Sequence, residues 1–234
     1  MKVVDLKSWT EYREYLNRYF ALDTRRRNQL WFRGVASRSH DLSPTLDRGV
    51  TWSNDTQRDN QYIQLLDEFA LEAIRLGDSR IGNLSRGEAL ELIARHYGLP
   101  SPYLDWSSSP YIAATFAYLG CSKHKSRYIA IYVFDRANLP DELDVELIDD
   151  PDLLRFNPRA LKQAGKFLRI GTSRERVEVL LNQSLTKIEV KKQDAVNAIG
   201  ELDEMGLNAS SLLADLEAAA ATASMRHPLP KATS

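Results

Sequence analysis

Residues 89–119 read ALELIARHYGLPSPYLDWSSSPYIAATFAYL, and this stretch holds most of the local folding signals of the chain. Ser85 and Glu88 form an S-x-x-E capping box, so a helix is predicted to begin just before it. Gly98 suits the left-handed position that closes a helix, and the two prolines that follow prevent the helix from continuing. The chain is therefore predicted to leave this helix sharply.

A second helix is predicted to begin within the same stretch. Ser109 is a favoured N-cap residue, and Pro110 is tolerated in the first helical turn. Residues 103–107 lie between the two helices and form a short extended segment that is rich in functional groups. A connecting segment that is held by rigid elements at both ends is a good place for a binding site.

The composition of the chain sets loose limits on its class. The 234 residues are 43% hydrophobic, which is ample for a packed core, and the net charge of -1 gives no global attraction to nucleic acid or to an anionic membrane. A single cysteine, Cys121, excludes an internal disulfide framework and fits a reducing compartment. The N-terminal residues become charged too early for a signal peptide, so we expect a soluble, cytoplasmic protein that does not enter a membrane.

Hydrophobic periodicity extends this pattern along the chain. Ser8 and Asp55 are predicted to cap two long helices, and Asn208 to cap an alanine-rich helix over residues 210–225. Further helices are predicted at 157–163, 175–181 and 193–202, and strands at 29–34, 103–107, 127–136, 145–148, 165–170 and 184–190. We expect one α+β domain over residues 1–226, in which several helices pack on a small mixed or antiparallel sheet. Residues 227–234 are predicted to form a flexible tail.

Arg33 ends the aromatic and aliphatic run of one predicted strand and precedes Gly34, which permits a close approach of other backbone. A guanidinium at the mouth of a buried strand suits bidentate capture of a phosphate or a carboxylate. A buried ion pair with an acid of the chain explains the same pattern equally well. Both interpretations stay open at this point.

The familiar catalytic signatures are missing: the chain has no nucleophile elbow, P-loop, dinucleotide-binding glycine motif or zinc-protease motif. What remains is a polar set without a strong nucleophile, which suits a polyanionic ligand that contains rings. The set consists of Arg33, His96, Tyr97, Asp105, Trp106, Ser107 and Gln163. Each member also has a structural interpretation, because tryptophan often anchors a core and aspartate often caps a helix.

Three blocks of the sequence carry a resemblance to a known family. The residues WFRG at 31–34 resemble the motif that names the FRG domain family, and HYGLP at 96–100 followed by LDWSxSP at 104–110 is similar to its most specific block. A third block at 157–167 and the C-terminal turn at 205–207 also resemble this family. One departure is Pro102-Tyr103, where a threonine-arginine pair is common in the family.

The resemblance implies an activity as well. The order of an early arginine, a strand that runs into an alanine-rich helix and a late amide is similar to ADP-ribosyltransferases, in which NAD lies in a cleft between two small sheets. This resemblance implies that NAD is a substrate and that Arg33, Asp105 and Gln163 carry the reaction. Arg33 would hold phosphate or ribose and Gln163 would position ribose and acceptor, while the nicotinamide would be covered by Tyr97 or Trp106.

The resemblance also implies the residues that bind NAD and the partners. His96, Tyr97, Trp106 and Ser107 would support binding together with Arg33. A bacterial or phage-defence toxin that modifies nucleic acid or protein, under an antitoxin or regulatory protein, is the expected setting. The alternative is a non-catalytic module that binds a nucleotide or nucleic acid in the same cleft. Both hypotheses require that the side chains of Arg33, Asp105 and Gln163 face the same cleft.

Overall fold

The computed structural model describes residues 1–78, 81, 87–154, 158–213 and 215–226. Its strands form one seven-stranded sheet in the order β1-β7-β4-β2-β3-β6-β5, in which β1 and β7 are parallel and all other neighbours are antiparallel. The predicted α+β class with a mixed sheet is therefore confirmed. The strands are β1 (Lys2–Leu6), β2 (Leu30–Val35), β3 (Tyr103–Ser107), β4 (Tyr128–Asp135), β5 (Val145–Ile148), β6 (Gly165–Ile170) and β7 (Leu185–Lys191).

Helices cover much of this sheet. The α-helices are α1 (Trp9–Phe20), α2 (Thr24–Arg27), α3 (Asp55–Arg75), α4 (Glu88–His96), α5 (Pro110–Gly120), α6 (Pro151–Leu154), α7 (Pro158–Lys162), α8 (Val177–Leu180), α9 (Ala195–Glu204), α10 (Ala209–Leu213) and α11 (Leu216–Arg226). Short 3-10 turns occupy Cys121–Lys123 and Arg136–Asn138. In the described part of the chain, no helix combines the length and the apolar character that a membrane crossing requires.

Strand β2 packs against two of the five apolar clusters that form the core of the described residues. In the first, α1, α5 and α9 cover one face of the sheet, and buried Trp9 and Tyr12 pack with Phe32 and Ile131. In the second, aromatic residues of β2, β3 and β4 pack together, among them Trp106. β2 contributes alternate residues to both clusters, because successive side chains of a strand point to opposite faces. The strand that carries Arg33 is consequently held from both sides.

The helix caps follow the predictions at most positions. The Ser8 hydroxyl oxygen accepts a hydrogen bond from the Glu11 amide, as predicted. At the long helix α3 the predicted cap is wrong: Asn54, in an extended conformation, caps it by accepting from the Gln57 amide at 2.8 Å. Asp55 is the first helical residue, and its carboxylate accepts from Ser173 instead.

The ends of the chain differ from the predicted pattern. β1 was not predicted, and the predicted helix over residues 210–225 is divided into α10 and α11. Ser85, the first residue of the predicted capping box, and the predicted tail at 227–234 lie outside the described residues. Gly87 is the N-cap of α4, without a side-chain cap.

Candidate functional site

The sheet opens between its two central strands. β2 and β3 share one residue pair, Phe32 with Ser107, whereas β2 pairs with β4 over six positions. If the β2–β3 ladder continued, the next pair on the same face would join Gly34 and Asp105, but the strands have already diverged there. A cleft of about 460 Å³ lies at this divergence, within the usual range for small-molecule sites.

Arg33, Asp105 and Gln163 all line this cleft. They come from β2, from β3 and from the turn after α7, so distant parts of the chain converge here. His96, Trp106 and Ser107 contribute to the same lining. The structure therefore brings together six of the predicted site residues, and Tyr97 is the one that it places outside the lining.

Asp105 is held by two arginines. Arg95 donates from Nε to Oδ1 at 2.6 Å and from Nη2 to Oδ2 at 2.5 Å, and its Nη1 donates to the Ser101 hydroxyl at 2.6 Å. Arg33 Nη1 donates to the backbone carbonyl of Asp105 at 2.6 Å and lies 4.0 Å from Oδ2. The guanidinium of Arg33 thus bridges the two strands where their backbone pairing stops.

The end of α4 explains why Arg95 and Asp105 meet. The Leu99 amide donates to the Ala94 carbonyl at 3.0 Å and the Gly98 amide to the Arg95 carbonyl at 2.9 Å, which is a Schellman motif. Gly98 has φ +94°, as the prediction of a left-handed closing residue requires. The motif reverses the chain, so that β3 returns past the last turn of α4 and places Asp105 beside Arg95.

The electrostatics of the network favour charged groups despite their enclosure. Burial raises the pKa of Asp105, but the charge and hydrogen bonds of Arg95, followed by the charge of Arg33, outweigh burial and lower the pKa overall. Burial lowers the pKa of Arg33 to about 10, opposed by Asp105 and reinforced by the charges of Arg95 and Arg48. Arg33 is still cationic at neutral pH, and the side chain of Asp105 stays 48% exposed because it opens onto the cleft.

The guanidinium of Arg33 is only partly used by the protein. Its Nη1 is bonded to Asp105, and no partner for its buried Nε is found among the described residues. Arg33 therefore combines the two interpretations of its sequence pattern: it pairs with an acid of the chain, and it also faces a cleft in which an anion can bind.

Among the described residues, the side-chain oxygen of Gln163 has no donor partner. Its Nε2 lies 3.1 Å from the carbonyl of Leu212, and because a carbonyl only accepts, the amide orientation is determined and Oε1 is left to receive a donor. Ser107 holds the backbone nearby: its hydroxyl donates to the Gln163 carbonyl at 2.7 Å and accepts from the Ser109 amide at 3.0 Å. Both hydrogen-bonding directions of the Ser107 hydroxyl are thus engaged within the protein.

The aromatic residues are arranged differently from the prediction. Trp106 is 3% exposed and packs against Phe134 at 5.5 Å between ring centroids, so it forms part of the cleft wall from within the core and offers no open ring face. Tyr97 is 59% exposed at the end of α4, with its ring 5.0 Å from that of His96. Phe116, on α5, is half-buried and lines the cleft. Phe116 is therefore the aromatic group best placed to contact a ligand ring.

Gly34 has a structural role that the strand pattern alone does not define. A Cβ atom on Gly34 would lie 1.7 Å from the carbonyl oxygen of Ala113, so the backbone of β2 rests directly on α5. The backbone that approaches Gly34 closely is therefore that of helix α5. This contact joins the strand that carries Arg33 to the helix that carries Phe116.

Sequence reasoning missed Arg95, Phe116 and Arg159 as residues of the site. The last-turn position of Arg95, beside His96, was a usable signal because it adjoins the most specific block. Phe116 was assigned to the apolar face of its helix, and only the tertiary arrangement shows that this face borders the cleft. Arg159 lines the cleft from α7, and its Nη2 donates to Asp215 at 2.9 Å. Among the described residues, no cluster of three or more histidine, cysteine or acidic side chains forms a metal site.

Comparisons with known proteins agree with the resemblance noted in the sequence. The model of the FRG domain matches residues 28–126, a segment that includes Arg33, Arg95 and Asp105 but not Gln163. No curated protein matches the chain, and no solved structure matches it either. The predicted resemblance to the FRG domain family is therefore confirmed over residues 28–126, which is less than half of the chain.

Proposed function

We propose that the cleft binds NAD and that the protein transfers ADP-ribose from NAD to an acceptor. The observation that carries this proposal is the convergence of Arg33, Asp105 and Gln163, which are far apart in the sequence, on one cleft. The ligand class follows from the charges and shape of that cleft, and the reaction class follows from the side chains that it offers.

The charge of the lining suits a pyrophosphate. Its ionisable groups other than His96 are the three arginines at 33, 95 and 159 and the single acid Asp105, a formal balance of +2 in a chain with a net charge of -1. Arg95 and Arg159 are each tied to a carboxylate by a short contact, whereas Arg33 lies 4.0 Å from the carboxylate of Asp105, and no partner for its Nε is found among the described residues. A guanidinium in a partly enclosed site is well suited to recognise phosphate oxygens.

Part of the lining is apolar. Phe116 and Leu99 are half-buried there, and Leu213 of α10 adds a third apolar side chain. Transfer of an aromatic ring such as nicotinamide from water to such a surface is favourable in free energy. We infer that Phe116 covers the nicotinamide, a role that the resemblance to ADP-ribosyltransferases implied for Tyr97 or Trp106.

The reaction needs no strong nucleophile from the protein. The bond between C1′ of the ribose and the nicotinamide nitrogen breaks, and its electron pair neutralises the pyridinium ring. The oxocarbenium-like carbon is then attacked by the acceptor, which loses a proton to water. Gln163 Oε1 would accept a ribose hydroxyl and Arg33 would hold the phosphates, so positioning carries the catalysis. Asp105 would act by orienting Arg33 and by facing the developing positive charge.

The biological setting that we propose is a bacterial or phage-defence toxin that modifies nucleic acid or protein. Such a toxin needs an antitoxin or another regulatory protein in the cell that makes it. Growth arrest on induced expression, relieved by a Gln163 substitution that leaves the protein folded, would support this setting. Normal growth at the same protein level would contradict it.

The central test measures nicotinamide released from NAD by the purified protein. The test variant is Gln163→Met, which removes the amide at nearly constant length, and the control is Arg176→Gln, an exposed arginine outside the cleft. Loss of one well-placed polar group typically lowers such a rate about 100-fold or more, so Gln163→Met should be nearly inactive and Arg176→Gln normal. Equal thermal stability of the variants is required for this comparison.

Two results contradict the enzyme. Nicotinamide release that is the same in all three proteins would show that the cleft does not perform the chemistry. NAD that binds by calorimetry but stays intact would favour the second candidate, a non-catalytic nucleotide-binding module. The positive lining favours that candidate too, because it attracts a nucleotide whether or not a reaction follows.

A further inference from the structure

A group of cations lies beyond the C-terminal end of β2, outside the cleft. Lys123, Lys125 and Arg127 are exposed on the turn between α5 and β4. Arg38 is exposed in the loop after β2, and Lys191 ends β7. We call these five residues the basic surface.

The basic surface is built on ordered backbone. The Lys192 ammonium donates to the carbonyls of Cys121 and His124, both at 2.7 Å, and the Lys192 amide donates to the Arg127 carbonyl at 3.0 Å. The Arg38 amide donates to the carbonyl of Tyr128 at 3.2 Å. The turn and the loop are thus tied to the sheet, so little order has to be gained when a ligand binds.

One aromatic ring joins two of the cations. The guanidinium of Arg38 lies 4.4 Å from the ring centroid of Tyr128, and the Lys191 ammonium lies 5.9 Å from the same centroid. These cation–π contacts position both charges without neutralising either of them. The positive charges therefore stay available at the surface.

Acidic residues do little to balance this surface. Glu189 pairs with Arg38 at 3.2 Å, but it is shared with Lys187 at the same distance. Within the residues that the structure covers, no carboxylate forms an ion pair with Lys123, Lys125 or Arg127. The chain as a whole carries -1, so this concentration of positive charge is a local feature. Clustered like charges repel one another, and a polyanion relieves that repulsion when it binds.

The basic surface is close to the cleft along the sheet. Arg33 pairs with Tyr132 on β4, and Tyr128 lies four residues from Tyr132 on the same strand. At roughly 3.3 Å per residue this is about 13 Å. The loop that follows β2 contains His40 and Arg48. The ring of His40 lies 4.5 Å from that of His124, which belongs to the turn of the basic surface.

We propose that the basic surface binds the phosphate backbone of a single-stranded nucleic acid and that nucleic acid is the acceptor for the cleft. The second half of this inference rests on the proposed ADP-ribosyltransferase function, whereas the first half does not. A single strand is required because a cleft of about 460 Å³ admits a nucleotide but not a duplex, and a base must leave its stack to react. A nucleophilic atom of the base bonds to C1′ of the ribose, nicotinamide leaves with its bonding electrons, and the base loses a proton to water.

The test is fluorescence anisotropy with a labelled 20-nucleotide single strand, as DNA and as RNA, at several salt concentrations. If five cations each neutralise one phosphate, the logarithm of affinity should fall against the logarithm of salt with a slope of about -3.5, or roughly 100-fold between 50 and 200 mM. The double variant Lys125→Glu/Arg127→Glu should bind at least ten-fold more weakly, with a slope smaller by about 1.4.

The matched control is Arg25→Glu/Arg75→Glu, which makes the same charge change on exposed arginines in α2 and at the end of α3. It should bind within about two-fold of the unaltered protein, because it leaves the local phosphate contacts in place. Equal weakening in the two double variants would overturn the inference, since only net charge would then matter. Binding to phosphatidylserine vesicles without binding to the oligonucleotide would overturn it as well.

A second readout separates this inference from the proposed function. With labelled NAD, the unaltered protein should transfer label to the oligonucleotide, and Lys125→Glu/Arg127→Glu should lose this transfer but still hydrolyse NAD. Oligonucleotide binding that depends on the basic surface, without any cleavage of NAD, would refute the proposed enzyme activity and the role of nucleic acid as acceptor. It would leave the basic surface supported as a nucleic-acid binding site. NAD cleavage with no oligonucleotide binding would refute the basic surface as a nucleic-acid site and leave the enzyme.

Discussion

Replacement of Gly34 by alanine tests the contact on which the cleft is built. The added Cβ would lie 1.7 Å from the Ala113 carbonyl oxygen and 3.0 Å from the Ala117 amide nitrogen, and ordinary contact begins at 3.4 Å. β2 and α5 would have to separate by about that deficit, and both are backbone, so no side chain can rotate away. Overpacking of a core costs about 1–3 kcal/mol, and we expect the upper end here.

The assay for Gly34→Ala is thermal and urea unfolding followed by circular dichroism. For a domain of this size, about 3 kcal/mol corresponds to a fall in Tm of roughly 6–12 °C. Gly200→Ala is the matched control: a Cβ there meets nothing within 4 Å, and alanine is favoured over glycine inside a helix by about 1 kcal/mol. Its Tm should rise by a few degrees. If the two variants are equally stable, the close packing of β2 on α5 is refuted.

Three other predictions address the frame around the site. Arg58→Met should cost about 3–5 kcal/mol in urea unfolding, because Arg58 is fully buried and its loss leaves the Asp47 carboxylate without its paired cation; an effect below 1 kcal/mol would contradict this. Gly98→Ala should cost about 1–2 kcal/mol, since φ is +94° there although the space is open, and full stability would argue against the Schellman turn. The folded-state pKa of Asp105 is below its usual 3.8, so its stabilisation is present above that value and is lost as the pH falls through the folded pKa. The stability difference between the unaltered protein and Asp105→Asn should therefore shrink as the pH falls from 5 to 3, and a difference independent of pH would refute the ion pair.

The parts of the fold that depend on local signals could be predicted from the sequence. Ser8 and Ser109 cap the helices that they were expected to cap, and Gly98 adopts the left-handed conformation that its place after a helix indicated. Strands such as β4 were clear from their run of β-branched and aromatic residues. Such features depend only on residues close in the sequence, so they can be predicted from short segments.

Features that depend on distant partners could not be predicted in this way. β1 is short and weakly patterned, and it becomes a strand only because β7 lies beside it. The pairing of Arg95 with Asp105 depends on the exact turn of the chain after α4, although both residues were visible in the sequence. The burial of Trp106 depends on Phe134, a residue of another strand. Six residues of the cleft lining could thus be named from residue type and motif, whereas Arg95, Phe116 and Arg159 were missed, and the role of each residue needed the tertiary structure.

The pairing of β1 with β7 has a consequence for synthesis on the ribosome. Lys2 lies opposite Thr186, so β1 is separated from its neighbour in the sheet by 184 residues of the sequence. Until β7 emerges, the backbone donors and acceptors of β1 have no ladder to join, and a nascent chain with open strand edges is prone to associate with others. Arrest of translation before β7 would therefore leave a fragment prone to association, because β1 gains its backbone partners only after β7 has been made.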